Sequence, residues 1–214
     1  MAKQEERSRQ TQARIMQGTL ECILQKGIRA LTTVDVARQA GVSRGALMHH
    51  YPSKEALMRA ALEDLLNREV ESVRELAERI KAGTLEFDTL LDSLHEHFKG
   101  DLFMVTLEFL TAARTDEAIK EVLLPLAAHF NASLEGIWER LVTSAQHSPH
   151  EDRVALNATL CMMRGMGAQS IWRDDPELYR DMLMFWKQML IDSGFTSHPL
   201  VMGESRNARH RHDT

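Results

Sequence analysis

The residues of this 214-residue chain whose types and spacing could do chemistry are Thr32-Thr33 and the run Ser43-Arg44-Gly45-Ala46-Leu47-Met48-His49-His50. The forked guanidinium of Arg44 can pair with O6 and N7 of a guanine in a major groove. Gly45 lets a backbone come close to that groove, and the Ala46 methyl can touch the methyl of a thymine. His49 offers ring nitrogens to a base edge or a phosphate. Thr32 and Thr33 place hydroxyls beside the free N–H groups of a helix N-terminus, which suits a phosphate. This is the chemistry of recognition rather than of bond making. No Gly-rich phosphate loop, nucleophile elbow or metal-ligand cluster accompanies it, so no enzyme activity, cofactor or metal is expected. The adjacent pair His49-His50 projects about 100° apart on a helix and is unsuited to one ion. The spacing of His95 and His97 is equally poor for a helix.

Two short helices must position these groups. Thr32, with Asp35 three residues on, is a variant of the capping box and can open a helix whose apolar face is Val36, Ala37 and Ala40. Gly41 supplies the left-handed residue that ends it. Ser43 is a fresh N-cap for a helix through about His50, and Pro52 stops that helix. Val42 and Leu47 fill the crevice between the two. A steep pair of short helices joined by a Gly-containing turn presents its second helix to a major groove.

The residues Leu31-Thr32-Thr33, Val36-Ala37, Ala40-Gly41-Val42-Ser43, Gly45-Ala46-Leu47 and His50-Tyr51-Pro52-Ser53-Lys54-Glu55-Ala56-Leu57 resemble the tetracycline-repressor (TetR) family of bacterial transcription regulators. The resemblance covers roughly the first 60 residues; beyond them it is one of length and helical layout. It implies an all-α fold, with three N-terminal helices forming a helix-turn-helix DNA-binding domain and about six more forming a ligand-binding and dimerisation domain. It also makes Lys54 a phosphate clamp at the start of a long helix and His50 a second phosphate contact. The full DNA-contacting set is then Thr32, Thr33, Ser43, Arg44, Gly45, Ala46, Met48, His49, His50 and Lys54. Met48 stands where the family commonly has tyrosine, so apolar reach is kept and a hydroxyl contact is lost.

The net charge of −5 looks wrong for a DNA binder until it is divided. Residues 1–60 hold ten Lys and Arg against five acids, a net +5, which leaves −10 on the remainder. A basic head on an acidic body suits a protein that meets phosphate at one end. No run of 18 apolar residues could span a membrane. The charged start MAKQEERSRQTQAR lacks a secretory h-region, so a cytoplasmic protein is expected. Cys22 and Cys161, far apart within helical patterns, read as two reduced, buried thiols.

Apolar periodicity predicts helices over about 8–26, 53–80, 86–98, 101–113, 116–145, 151–172 and 175–192, with Pro125 kinking or dividing the fifth. The domains expected are 1–55 for DNA binding, 56–196 for ligand binding and dimerisation, and a disordered polar tail over 197–214. The last two helices carry more apolar residues than one face needs. In the family such a pair meets its symmetry mate as a four-helix bundle, which assigns Leu156, Leu160, Gly167, Ile171, Leu178, Met182, Phe185, Trp186 and Met189 to a dimer interface. Gly165 and Gly167 would allow close helix approach. A largely apolar effector pocket is expected from Phe98, Phe103, Leu107, Glu108, Phe109, His129, Phe130, Leu134, Trp138, Met162, Met163 and Met166. Glu108 stands out there, because a buried carboxylate needs a partner such as Arg114 or a cationic ligand group. The expected protein is a homodimeric repressor released from a pseudo-palindromic duplex operator by a small molecule. The alternative is a DNA-binding regulator controlled by a protein partner or by abundance.

Overall fold

The structure, a computed structural model, describes residues 2–142 and 147–195. The tail expected over 197–214 therefore lies outside the described residues. Nine helices make up the described chain: α1 (Ala2–Lys26), α2 (Thr33–Gln39), α3 (Arg44–His50), α4 (Lys54–Lys81), α5 (Phe87–Lys99), α6 (Asp101–Ala113), α7 (Glu117–Leu141), α8 (Pro149–Gln169) and α9 (Pro176–Asp192). None is long and apolar enough to cross a membrane.

The helix starts follow from side-chain caps that satisfy otherwise orphan N–H groups. Thr32, Ser43, Ser53, Asp116, Ser148 and Asp175 each accept the N–H three residues on. At α8 the cap is a full capping box, with the Glu151 carboxylate accepting the Ser148 backbone N–H at 2.7 Å. Pro149 and Pro176 occupy the first helical position, where a missing N–H costs nothing. The end of α2 is equally local. Gly41, at φ +63°, donates its N–H to Arg38 O, and Val42 donates to Ala37 O, the two bonds of a Schellman motif.

Three expectations change. The first helix starts at Ala2 rather than near residue 8, helped by polar pairs at helical spacing such as Gln10 to Glu6. Pro125 does not divide α7, which runs unbroken from Glu117 to Leu141. Buried residues on both sides of Pro125 (Val122 and Leu123 before it, Leu134, Ile137 and Trp138 after it) hold the helix through the lost hydrogen bond. The eighth helix stops at Gln169, so Ile171 and Trp172 lie in the turn towards α9 rather than on a helix.

Packing does not divide at residue 55. One apolar cluster joins Ile15, Leu20 and Ile23 of α1, Val36 of α2, Leu47 of α3 and Leu57 to Leu66 of α4 with Val105, Phe109 and Ala112 of α6 and Ile119, Val122 and Leu123 of α7. A second fills the far half between α4, α5, α7, α8 and α9. Three helices, α4, α6 and α7, thus contribute to the core around the helix-turn-helix. The most extensive helix pairing is α4 against α7.

Candidate nucleic-acid interface

The proposed DNA contacts gather at the N-termini of α2, α3 and α4. Thr32 Oγ1 accepts the Asp35 N–H at 3.1 Å and donates to Asp35 Oδ2 at 2.9 Å. The Lys26 ammonium, 2.9 Å from Asp35, together with the Thr32 hydroxyl holds the Asp35 carboxyl below its usual range. Arg38 pairs with the same carboxylate, so one acid answers two bases on the α1–α2 surface. Arg44, the first residue of α3, is exposed, with no ion pair among the described residues. Gly45 and His49 are exposed as well, and nothing but the Ser43 hydroxyl approaches a Cβ built on Gly45. Leu47, wholly buried, anchors α3 and turns its polar residues outward.

Met48, the departure from the family pattern, is half-buried and packs on the head core beside Val42 and Tyr51. The rings of His49 and His50 meet edge to face at 5.5 Å, and His50 lies 6.3 Å from the Tyr51 ring. Lys54, half-buried at the first turn of α4, donates to the Arg29 carbonyl at 3.4 Å. That long contact leaves ammonium protons free for another acceptor.

Behind the head lies a cavity of about 180 Å³ bounded by α4, α5, α6, α7 and α8. Of the expected pocket residues, Phe98, Phe103, Phe130 and Leu134 line it. The others sit elsewhere. Phe109 is wholly buried in the core shared with the head, and Trp138 packs against Phe87 at 5.7 Å between ring centroids. Met163 and Met166 belong to the second core, Met162 packs on its edge, and Leu107 is half-buried off the lining. His129 is exposed. Glu108 is exposed rather than buried, and it meets neither Arg114 nor the cavity. Its carboxylate accepts the Ile28 backbone N–H at 3.1 Å, because the α1–α2 connection passes directly over this part of α6.

The polar lining consists of residues that apolar periodicity passed over: Glu69, His97, Thr106, Asn131 and Arg164. A usable signal existed. Glu69 stands four residues from both Leu65 and Val73, and Arg164 four from Leu160, so each interrupts a buried stripe. His97 Nε2 lies 3.2 Å from Glu69 Oε2, while His97 Nδ1 is 2.7 Å from the Ser93 carbonyl. Burial pushes the Glu69 carboxyl up, opposed by His97 and Arg68.

The expected dimer residues also separate. Leu156 and Leu160 are buried within the protomer, at 3% and 2% exposure, and Leu160 lines the cavity. Gly167 is packed so tightly that a Cβ there would stand 2.0 Å from the Phe98 carbonyl oxygen. Its small size serves the α8–α5 approach inside one chain. Gly165 meets nothing within 4 Å. Leu178 and Met182 are half-buried, and Trp186 donates its indole N–H to Thr159 at 2.9 Å. Ile171, Phe185 and Met189 are exposed, in company with Val154, Trp172, Met184 and Ile191.

These features define an all-helical protein with a helix-turn-helix, DNA-binding head. A family model for bacterial regulatory proteins of the tetR family matches residues 15–61, from the buried stripe of α1 into the first turns of α4. Within those residues the chain carries the DNA-binding head of the tetR family of bacterial regulatory proteins. It is 29% identical over 176 residues to the HTH-type transcriptional regulator CymR of Pseudomonas putida, covering 82% of this chain and 87% of that one. An uncharacterised HTH-type regulator of Mycobacterium tuberculosis is 28% identical over 148 residues, 69% of this chain and 75% of its own. Among solved structures, a TetR-family regulator from Rhodococcus sp. shares the fold with a TM-score of 0.66 at 23% identity, over 87% of this chain and 99% of that one.

Proposed function

We propose that this regulator is a homodimeric repressor whose grip on a pseudo-palindromic operator is released by a small molecule entering the cavity. The observation that carries the reading is the cavity's position. Leu65 and Leu66 of α4 and Phe103, Thr106 and Leu110 of α6 form part of its wall, and the same two helices hold the head. A ligand that favours a wider spacing of α4 and α6 would shift the head's angle by differential affinity for the two arrangements. Two recognition helices about one DNA turn apart would then lose register with successive grooves. The existence of this cavity favours a small-molecule signal over control by a protein partner.

In the head, Arg44 reads a base, with Gly45 and Ala46 allowing close approach and His49 beside them. Thr32, Thr33, Ser43, His50 and Lys54 take phosphates, and Met48 adds apolar contact from its half-buried position. The dimer forms through the exposed apolar face of Ile171, Trp172, Phe185 and Met189 on α9 and the turn before it. All four are large apolar side chains left exposed, Trp172 and Phe185 at 72% and 66%, and exposed apolar surface of this kind marks an association site.

The test begins with an operator selected from a random duplex pool and a sedimentation measurement of the free protein. A dimer in solution and a two-fold symmetric selected site are expected. A monomer that binds a single asymmetric site would overturn the dimeric reading. An effector screen then asks for compounds that both raise the melting temperature and release the operator. Compounds that stabilise the protein without affecting DNA would remove the release mechanism.

A further inference from the structure

The cavity holds a positive charge that the protein itself does not answer. Arg164 of α8 lines it among mainly apolar side chains. Among the described residues its one hydrogen bond is a long one, Nη2 to Asn131 Oδ1 at 3.5 Å. Its guanidinium carbon sits 5.8 Å from the centre of the Phe98 ring, which faces the same space. No carboxylate pairs with it among the described residues, and burial pushes its pKa down, opposed by nothing stronger than Cys161. A guanidinium stays charged under such conditions. Half-buried, it keeps most of its five donors open to the cavity, where an anionic acceptor would be the strongest partner available to it.

The other charged pair in the cavity does not supply it. Glu69 faces His97 at 3.2 Å, and the Ser93 carbonyl, which can only accept, keeps a proton on His97 Nδ1. Glu69 is thus engaged by His97, and Arg164 lines the cavity with no carboxylate of its own among the described residues. The remaining walls, Leu65, Leu94, Phe103 and Leu134 among them, offer an apolar body nothing but contact area.

We propose that the effector is a small monocarboxylate: Arg164 takes the carboxylate by a bidentate pair while Phe98 and the leucine walls enclose an apolar body. The assignment rests on the ligand-responsive reading given above and adds the ligand's chemical class. Size follows from volume. An engineered cavity of roughly 150 Å³ accepts benzene, so about 180 Å³ suits one ring, or a chain of similar bulk, with a short charged arm. The bidentate geometry is the one in which guanidinium and carboxylate match best. A neutral isostere of the same shape would fill the walls and leave the guanidinium desolvated without an anion.

Calorimetric titration with two matched probe pairs tests this: octanoate against octanamide, and 3-phenylpropanoate against 3-phenylpropanamide. Each acid is expected to bind the wild-type protein at least tenfold tighter than its amide, and the two pairs separate a chain-shaped from a ring-shaped body. Arg164→Gln should abolish the preference for acid and leave amide binding unchanged, whereas Arg164→Lys should keep part of it. Circular dichroism establishes that the variants fold; should Arg164→Gln not fold, the wild-type acid-to-amide ratio decides alone. Amides that bind as tightly as acids, or no binding by any of the four, would overturn the assignment. Amides that release operator DNA as well as acids do would leave the repressor reading standing and remove only the role of Arg164. Acids that bind through Arg164 without releasing DNA would keep the anion site and overturn the release mechanism.

Discussion

The carboxylate of Glu108 on α6 accepts the backbone N–H of Ile28 at 3.1 Å, joining residues 80 apart in sequence. The fit is close. A Cβ on neighbouring Gly27, which has φ +76°, would stand 3.1 Å from the same carboxylate oxygen, so both the backbone angle and the space call for glycine. Arg29 adds a bond to the Thr115 hydroxyl just beyond α6, at 2.6 Å. The turn after α1 is thereby fastened to a helix that also lines the cavity.

Removing that bond should loosen the head from the body. Glu108→Ala is expected to cost about 1–2 kcal/mol in urea unfolding, with Glu108→Gln losing less because an amide oxygen can still accept. Equal stability of all three proteins would show that the contact carries no energy.

Lys54→Ala should weaken binding to every duplex alike and reduce the slope of log affinity against log salt by about one unit. Fluorescence anisotropy on the selected operator and on scrambled DNA measures both. An unchanged slope removes Lys54 from the phosphate contacts.

Arg44→Ala should instead relax preference at one base pair per half-site, costing roughly 1–3 kcal/mol on the preferred sequence and little on others. Competition with single-base operator variants reads this directly. A uniform loss would make Arg44 a backbone contact.

Gly167→Ala should be among the most damaging single-methyl additions in the chain. The new Cβ meets the Phe98 carbonyl oxygen at 2.0 Å and the Phe103 ring at 2.9 Å, so α8 must move off α5 and α6. A loss of about 3 kcal/mol is expected, at the upper end of overpacking effects. Gly165→Ala, two residues away in open space, should be neutral or slightly stabilising. Thermal melts of the pair decide, and similar melting temperatures would contradict the packing.

His95 sets an acid limit. It is buried at 6% exposure, with no hydrogen-bond partner for Nδ1 among the described residues, and burial lowers its pKa below the ordinary 6.5, with Lys99 adding to the effect. Above that value the ring is neutral in both folded and unfolded chains and contributes no pH dependence. As the pH falls below about 6.5 the unfolded chain takes up a proton that the folded one resists, so stability declines towards the folded pKa. His95→Leu should flatten the decline between pH 6.5 and 5 in denaturant midpoints, and an unaltered pH profile would place its cause elsewhere.

The head was legible in advance because its determinants are local. Thr32 and Ser43 cap the helices they were expected to cap, and Gly41 ends α2 as its position demanded. A cap needs only a hydroxyl and an N–H three residues away, so neighbouring residues suffice. The cavity was only half legible. Phe98, Phe103, Phe130 and Leu134 line it, whereas Phe109 and Trp138, equally apolar and equally periodic, went to two different cores. Periodicity says that a residue is buried; which partner buries it depends on how the helices cross.

Residue order alone therefore determined most of the helices, the caps of α2 and α3, the basic head and its resemblance to one family of regulators. Tertiary structure decided what the lone charges do. Glu108 and Arg164 each interrupt an apolar segment, and nothing within a few residues of either separates them. Docking of the head over α6 gives Glu108 a backbone N–H from the α1–α2 turn. The crossing of α8 over α5 and α7 leaves Arg164 with a ring face, one distant amide and an open cavity. What a charge does is defined by what lies within a few ångströms of it, and in a fold of packed helices those neighbours come from segments far away in sequence.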